Sequence, residues 1–390
     1  MDGGALGVLG SATVFLNGCV LRSNTAKYAG AINVEQNATL HMVATNVISN
    51  TAVKTGGAMW MGGNSSTNNI AVQSGGALYG KDNSSILATA CTIADNTAGA
   101  DGGGFYAGGA ASVNVWNTLF LRNRADKGGA LRLSGPAVAA VLQSCDLTKN
   151  TAHVLAGAVS VAGHSHMSAT SCAFHNNTAG KTGGAIETAD FGRVVLAGDT
   201  QGVGNMATHG GFLGMEANSR AEVVGATLAR NMALKDGSGG CCNMIGNAVA
   251  IVHNSTIVGG EKQPNIQGGA FSVGGNATLL VSSCMLSHLH ADQGGGIYAC
   301  DTSSVHARDV HVYNTTAAKY GGGLFALTNG RITWSGGSFV RMKAGYAGAI
   351  NVLHGSLSVT GTRFEDCSSS NGGVVRGLLP SCFGRCTPLL

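Results

Sequence analysis

Two fragments of this chain carry the side chains that an enzyme acting on acidic polysaccharide would use: His209-Gly210 and Arg341-Met342-Lys343. Histidine moves protons near neutral pH, and Arg or Lys can hold a sugar carboxylate. Several periods of the repeat described below separate the two, too far for one substrate bond. Glycoside hydrolysis asks for two carboxylates a few ångströms apart. Asp82, Asp95, Asp146, Glu187, Asp190, Asp199, Glu216, Glu222, Asp301 and Asp309 form no common column, and the chain has no Asp-Asp pair. A calcium-dependent lyase would need an acidic metal cluster with a cation beside it. The segment before each Gly-Gly carries Lys27, Lys54, Asp126, Lys181, Asp292 or Lys319, a mixed row that reads as solvated surface.

Metal chemistry has equally little support. His164/His166 and His288/His290 are pairs spaced two apart, but they lie far from each other and no acid flanks the first. Cys19, Cys91, Cys145, Cys172 and Cys284 recur at one repeat position, which places them inward as small apolar residues. Cys241 and Cys242 are neighbours expected on opposite faces of a strand, which disfavours shared ligation. Cys382 and Cys386, near the end of the chain, are the better candidates for a bridge. No catalytic residue, cofactor or metal is assigned. An ice-binding face would need a flat threonine array, and threonine reads as clustered in corners.

The elements that must position these residues follow from a repeat. Gly-Gly-Ala-Leu-like tetrapeptides start at Gly3, Ala29, Gly56, Gly75, Gly102, Gly128, Ala156, Gly183, Gly210, Gly239, Gly268, Gly294, Gly321, Ala347 and Gly372. All but one of the spacings lie between 25 and 29 residues, and the exception is the 19 residues from Gly56 to Gly75. A fixed period of this size marks a solenoid. Within the period, apolar residues come in pairs two apart: Leu131/Leu133, then Val113/Val115, then Cys172/Phe174 in their respective turns. That spacing is strand-like, and no helical pattern persists. The expectation is an all-β, single-stranded parallel β-helix of about fifteen turns with three short strands per turn. The general preference for right-handed crossovers makes it right-handed. It occupies 1–375, followed by an irregular cysteine-containing tail at 376–390. The first Gly-Gly at residue 3 reads as a chain that starts inside its own repeat, a fragment lacking its N-terminal cap.

Asparagine recurs late in the period, at Asn24, Asn50, Asn96, Asn123, Asn150, Asn177, Asn205 and Asn231. Stacked amides can bond along such a column, and Asn tolerates a left-handed bend. An alanine follows two residues later. By this count the short unit from Gly56 to Ser74 lacks the Asn corner.

Composition narrows the partners. Charged residues are 11% of the chain, the formal net charge is +4, and the basic residues are scattered, so nucleic acid is not expected. No apolar run is long enough to span a bilayer as a helix. Seven Asn-x-Ser/Thr sequons occur, at Asn37, Asn64, Asn83, Asn176, Asn254, Asn276 and Asn314. On the strand after each Gly-Gly, the outward position holds Trp60, Tyr79, Tyr106, Tyr298 and Phe325, with Arg132 and Glu187 between. Aromatic rings on a strand face suit contact with sugars.

Phe174-His-Asn-Asn-Thr-Ala-Gly-Lys-Thr-Gly-Gly-Ala-Ile186 resembles the repeat of chlamydial polymorphic outer membrane proteins, which joins an FxxN element to a GGA[ILV] element. Phe120 to Asn123 followed by Gly128 to Leu131 is a second match, and Leu147 to Asn150 before Ala156 to Val159 a looser one. The resemblance implies a pectin-lyase-like β-helix and an extracellular or cell-surface passenger, often an adhesin. It leads to the expectation of a non-catalytic adhesin or scaffold that contacts surface polysaccharide or a host-cell surface protein. The alternative is a polysaccharide-active lyase or hydrolase with an unrecognised site.

Overall fold

The computed structural model describes residues 6–8, 11–27, 32–34, 39–43, 46–53, 60–62, 65–67, 69–260 and 266–378. Among them there is no helix, and therefore none long and apolar enough to cross a membrane. The chain is a parallel β-solenoid that divides into two compact units, Met1–Gln201 and Gly202–Leu390.

Most turns contribute four strands, one more than the apolar pairs predict. In the turn that begins at Gly102 they are Phe105–Gly108, Ser112–Trp116, Leu119–Leu121 and Arg124–Lys127. We call the columns they belong to ladders one to four. The corners between them explain the count. Gly102, Gly109, Asn117 and Arg122 all have left-handed φ, between 50 and 66°. A left-handed residue turns an extended chain sharply, so four such residues make four sides. The fourth strand was hidden because in most turns of unit 1 it is only Thr-Ala, too short to show alternation.

In unit 1, ladder one runs through Leu78–Gly80, Phe105–Gly108, Leu131–Gly135, Val159–Gly163 and Ile186–Thr188, each parallel to the next. In unit 2 it runs from Leu213–Met215 to Val375–Leu378. The final strand continues past the expected boundary at 375, while 379–390, with Cys382 and Cys386, lie outside the described residues. Twelve strands in all follow a Gly-Gly mark from Leu78 on, so the turns number about twelve rather than fifteen. The strands after the first two marks pair only with each other, Leu6–Val8 with Ile32–Val34.

The short unit accounts for the remaining mark. Trp60–Gly62 pairs with His41–Val43 on one side and Leu87–Thr89 on the other, which is ladder two. Among the described residues no ladder-one strand lies there, and Trp60 stands outside the column of Tyr79 and Tyr106. The Asn corner, by contrast, is present: Asn69 Nδ2 donates to Asn96 Oδ1 at 2.9 Å and Asn50 Nδ2 donates to Asn69 Oδ1 at 3.0 Å. Counting from the Gly-Gly mark hid Asn69 because the missing residues lie between mark and corner.

The core is a stack of inward side chains. Phe105, Phe120, Phe174, Leu131 and Val159 are fully buried in unit 1, as are Phe212, Phe271, Trp334 and Phe339 in unit 2. Burying each large apolar side chain contributes roughly 1.5–3 kcal/mol. Alanine after the Asn corner is buried from Ala52 to Ala179 in unit 1, while Ala26 is half-buried. The threonines before it do align, contrary to the reading above: Thr25 pairs with Thr51 and Thr151 with Thr178, interrupted by Ile70 and Arg124. The two interruptions break the flat array that ice binding requires.

Candidate binding groove

The corner between ladder four and ladder one is made by the Gly-Gly pair. Its second glycine is the strict one. A Cβ on Gly129 would lie 2.2 Å from the Gly157 carbonyl oxygen of the next turn, and one on Gly295 would lie 2.1 Å from that of Gly322. The first position accepts alanine at Ala156 and Ala347, both with left-handed φ. Close stacking of backbone at this corner lets the chain fold back on itself, so that the residue before Gly-Gly stands beside the fifth residue after it.

Three turns show this pairing directly. Ser238 Oγ donates to Asn243 Oδ1 at 2.8 Å. The Tyr320 and Phe325 rings stack at 5.1 Å. Asp101 acts electrostatically on Tyr106, helping burial to raise its phenol pKa while Arg132 opposes. The corner is therefore re-entrant. One row of side chains forms a floor on ladder one, and the row before Gly-Gly forms a wall. This explains why floor residues expected to face solvent are buried: Ser160, Glu187, Phe325 and Asn351 all are.

In unit 1 the floor reads Tyr79, Tyr106, Arg132, Ser160 and Glu187 in successive turns. Tyr79 and Tyr106 stack at 4.9 Å with rings 8° apart. The stack uses the ring faces, and the Tyr106 hydroxyl end lies beside Gly108. Arg132 Nη1 donates to Ser160 Oγ, and Ser160 Oγ donates to Glu187 Oε2. The same guanidinium lies 3.8 Å from Glu187 and 3.8 Å from Asp101 on the wall. Two carboxylates thus converge on one cation, which neutralises them and holds both in place.

In unit 2, His209 and Ser238 begin the wall, with 2.8 Å between His209 Nδ1 and Ser238 Oγ. Burial lowers the His209 pKa and Glu216 pulls against that shift. Further along, the floor holds Tyr298, Phe325 and Asn351 and the wall holds Tyr320 and Tyr346. Tyr298 and Phe325 are both buried, so the rings that reach the surface are Tyr320 and Tyr346, stacked at 5.4 Å. The Arg376 guanidinium sits 5.3 Å from the Tyr346 ring centre.

The other residues singled out from the sequence lie outside this groove. Arg341 is a left-handed corner residue over the Tyr313 ring, and His164 packs against Phe191. Cys241 and Cys242 do not point to opposite faces: both are buried, because the two residues after Gly-Gly enter the core together at the corner. Burial raises both thiol pKa values, that of Cys242 to about 12. Among the described residues no three His, Cys, Asp or Glu side chains gather as a metal site would require. Sequence reading missed Asp101 and the wall as a whole. The wall row is one residue closer to Gly-Gly than the charged row that drew attention, and the five-residue offset across the glycines is the signal that finds it.

A scan of protein-family models finds no match to this chain, and a search of curated proteins finds none either.

Proposed function

We propose that this solenoid is a non-catalytic, exported or cell-surface protein whose Gly-Gly groove holds an extended polymer, with carbohydrate as the first choice. The kinship to polymorphic outer membrane repeats and to pectin-lyase-like helices belongs to this proposal, as does the adhesin or scaffold role. The observation that carries it is the pair of facing rows across the re-entrant corner. Floor and wall repeat every turn at roughly 4.8 Å, the spacing of adjacent strands, so a linear chain of polar units can meet the same kind of contact again and again. The side chains offered are hydroxyls, amides, phenols and the guanidiniums of Arg132 and Arg376, which suit hydrogen bonding to sugars or to a protein strand.

A lyase or hydrolase is the rival reading, and one observation favours it: Asp101 and Glu187 meet at Arg132. We read that cluster as structural because each carboxylate is turned toward the shared cation.

The test is binding and turnover of the purified protein against an array of surface polysaccharides. Saturable binding without new reducing ends or unsaturated products is expected. It should weaken at least tenfold in Tyr106→Ala and persist in Glu187→Gln. Product release that disappears in Glu187→Gln or Asp101→Asn would establish the enzyme instead.

A further inference from the structure

Asn351 lies on the floor of unit 2, in register with Phe325 on one side and Arg376 on the other. Its side chain is fully buried, and neither Nδ2 nor Oδ1 has a hydrogen-bond partner. Leaving a buried donor or acceptor unpaired costs about 1–3 kcal/mol, and here both ends of one amide are unpaired. Native structures rarely carry such a group without a use for it. Packing does not require an amide here: the equivalent floor position one turn earlier is Phe325, an apolar ring of greater size.

What stands beside it indicates the use. By the five-residue offset established above, the wall residue facing Asn351 is Tyr346, partly exposed and stacked on Tyr320. Arg376 lies over the Tyr346 ring. The amide thus faces an aromatic ring across the corner and is flanked along the floor by Arg376, whose guanidinium covers that ring.

We propose that Asn351 is a ligand-recognition amide for a neutral saccharide: its Nδ2 donates to one sugar hydroxyl and its Oδ1 accepts from a neighbouring one. Tyr346 and Arg376 bound the subsite. Vicinal hydroxyls supply one acceptor and one donor at the spacing of a side-chain amide, and a neutral ring brings no charge into a buried position. The inference rests on the carbohydrate reading of the groove and deepens it, by naming a unit 2 subsite and its class of sugar.

The experiment compares wild type with Asn351→Leu, a change of similar volume that removes both polar atoms. The probes are cellohexaose, maltohexaose, mannohexaose and an oligogalacturonate, measured by calorimetry, with thermal unfolding in parallel. The expected result is that Asn351→Leu melts at the same temperature or higher while its affinity for a neutral hexaose falls at least tenfold. Tyr346→Ala, which leaves the amide intact, should also weaken that binding. A lower melting temperature in Asn351→Leu would overturn the inference whatever happens to binding, because it would mean the amide has a structural partner. Unchanged binding of a neutral hexaose in Asn351→Leu would overturn it while leaving the groove reading in place. So would preference for the oligogalacturonate. No binding by wild type to any probe would remove both.

Discussion

In unit 1 the corner before ladder four is held by amides. Asn24, Asn50, Asn69, Asn96, Asn123 and Asn150 each pass a hydrogen bond to the next, ending at Asn177, at 2.9–3.0 Å. In unit 2 Asn205 passes one to Asn231, at 2.9 Å. The same corner is then Leu289, Thr315, Met342 and Cys367, the first three fully buried. Thr315 Oγ1 donates to the Gly322 carbonyl oxygen at 2.5 Å. One backbone path is thus held by a polar column in one unit and mostly by apolar packing in the other. The left-handed bend itself does not depend on the asparagine. It falls on the residue before, Arg122 or Lys149 in unit 1 and His288 or Arg341 in unit 2. The comparison separates two jobs that the sequence runs together: one residue bends the chain and the next one fills or bonds the space inside.

The Gly-Gly corner gives the opposite result, since both units build it alike. Gly129→Ala in unit 1 and Gly295→Ala in unit 2 should therefore be equally damaging. Each forces a methyl group into a carbonyl oxygen of the next turn. We expect a loss of roughly 4 kcal/mol or more in each, among the largest single-residue effects. Ala156→Gly, at the tolerant first position, should change stability by only about 0.4–1 kcal/mol. Denaturant melts followed by local hydrogen exchange read both units separately, which matters because a solenoid need not unfold in one step. If unit 2 accepted Gly295→Ala, the groove would not be a common device.

The Asn corner should then divide the units. Asn123→Ala strips the acceptor from the Asn96 backbone N–H and from Asn96 Nδ2, and the donor from the Ile93 carbonyl. Three buried groups at about 1–3 kcal/mol each, softened by relaxation, give an expected loss of about 3–6 kcal/mol. Thr315→Val at the equivalent corner of unit 2 frees one carbonyl and should lose only about 1–2 kcal/mol. The reverse exchange is also informative. Leu289→Asn places an amide where no amide column exists and should cost about 1–3 kcal/mol, measured by the same melts. Neutral or stabilising behaviour would show that the column can be extended at will.

How much of this was legible in the residues depends on whether a feature repeats. The solenoid was readable because Gly-Gly recurs at a nearly constant spacing. The amide column was readable because Asn recurs with it. Asn69 escaped because one deletion shifted its count, and Trp60 was misplaced for the same reason. The fourth ladder escaped because Thr-Ala is too short for a period to be seen. The groove escaped for a different reason: strand alternation assigns every second residue to solvent, and it carries no information about a corner that folds inward. Only the contact between Tyr320 and Phe325, or between Ser238 and Asn243, reveals that two outward rows face one another. The unpaired amide of Asn351 is invisible to any pattern, since its position after Gly-Gly is asparagine elsewhere only at Asn33 and Asn243.

The smallest predicted effects concern acid. Both units hold a histidine whose pKa burial lowers: His166 on ladder two of unit 1, with Arg193 adding to the shift, and His209 on the groove wall of unit 2, with Glu216 opposing it. A histidine whose folded pKa lies below its unfolded value near 6.5 binds fewer protons when folded. Its contribution to stability is then complete above the unfolded value and declines as pH falls from there toward the folded one. Both units should thus loosen modestly on acidification, and His166→Gln or His209→Gln should flatten the profile of its own unit. The consequences for binding should differ. His209 is hydrogen-bonded to Ser238 beside the floor, so the loosening in unit 2 should appear in groove peptides and weaken saccharide affinity there between pH 7 and about 5. His166 lies on another side of the coil, and acid should leave Tyr106-dependent binding in unit 1 unchanged. Hydrogen exchange at the two pH values, with calorimetry on Tyr106→Ala and His209→Gln, decides it. An equal loss of affinity in both units would mean that proton uptake acts on the whole groove and not through the wall histidine.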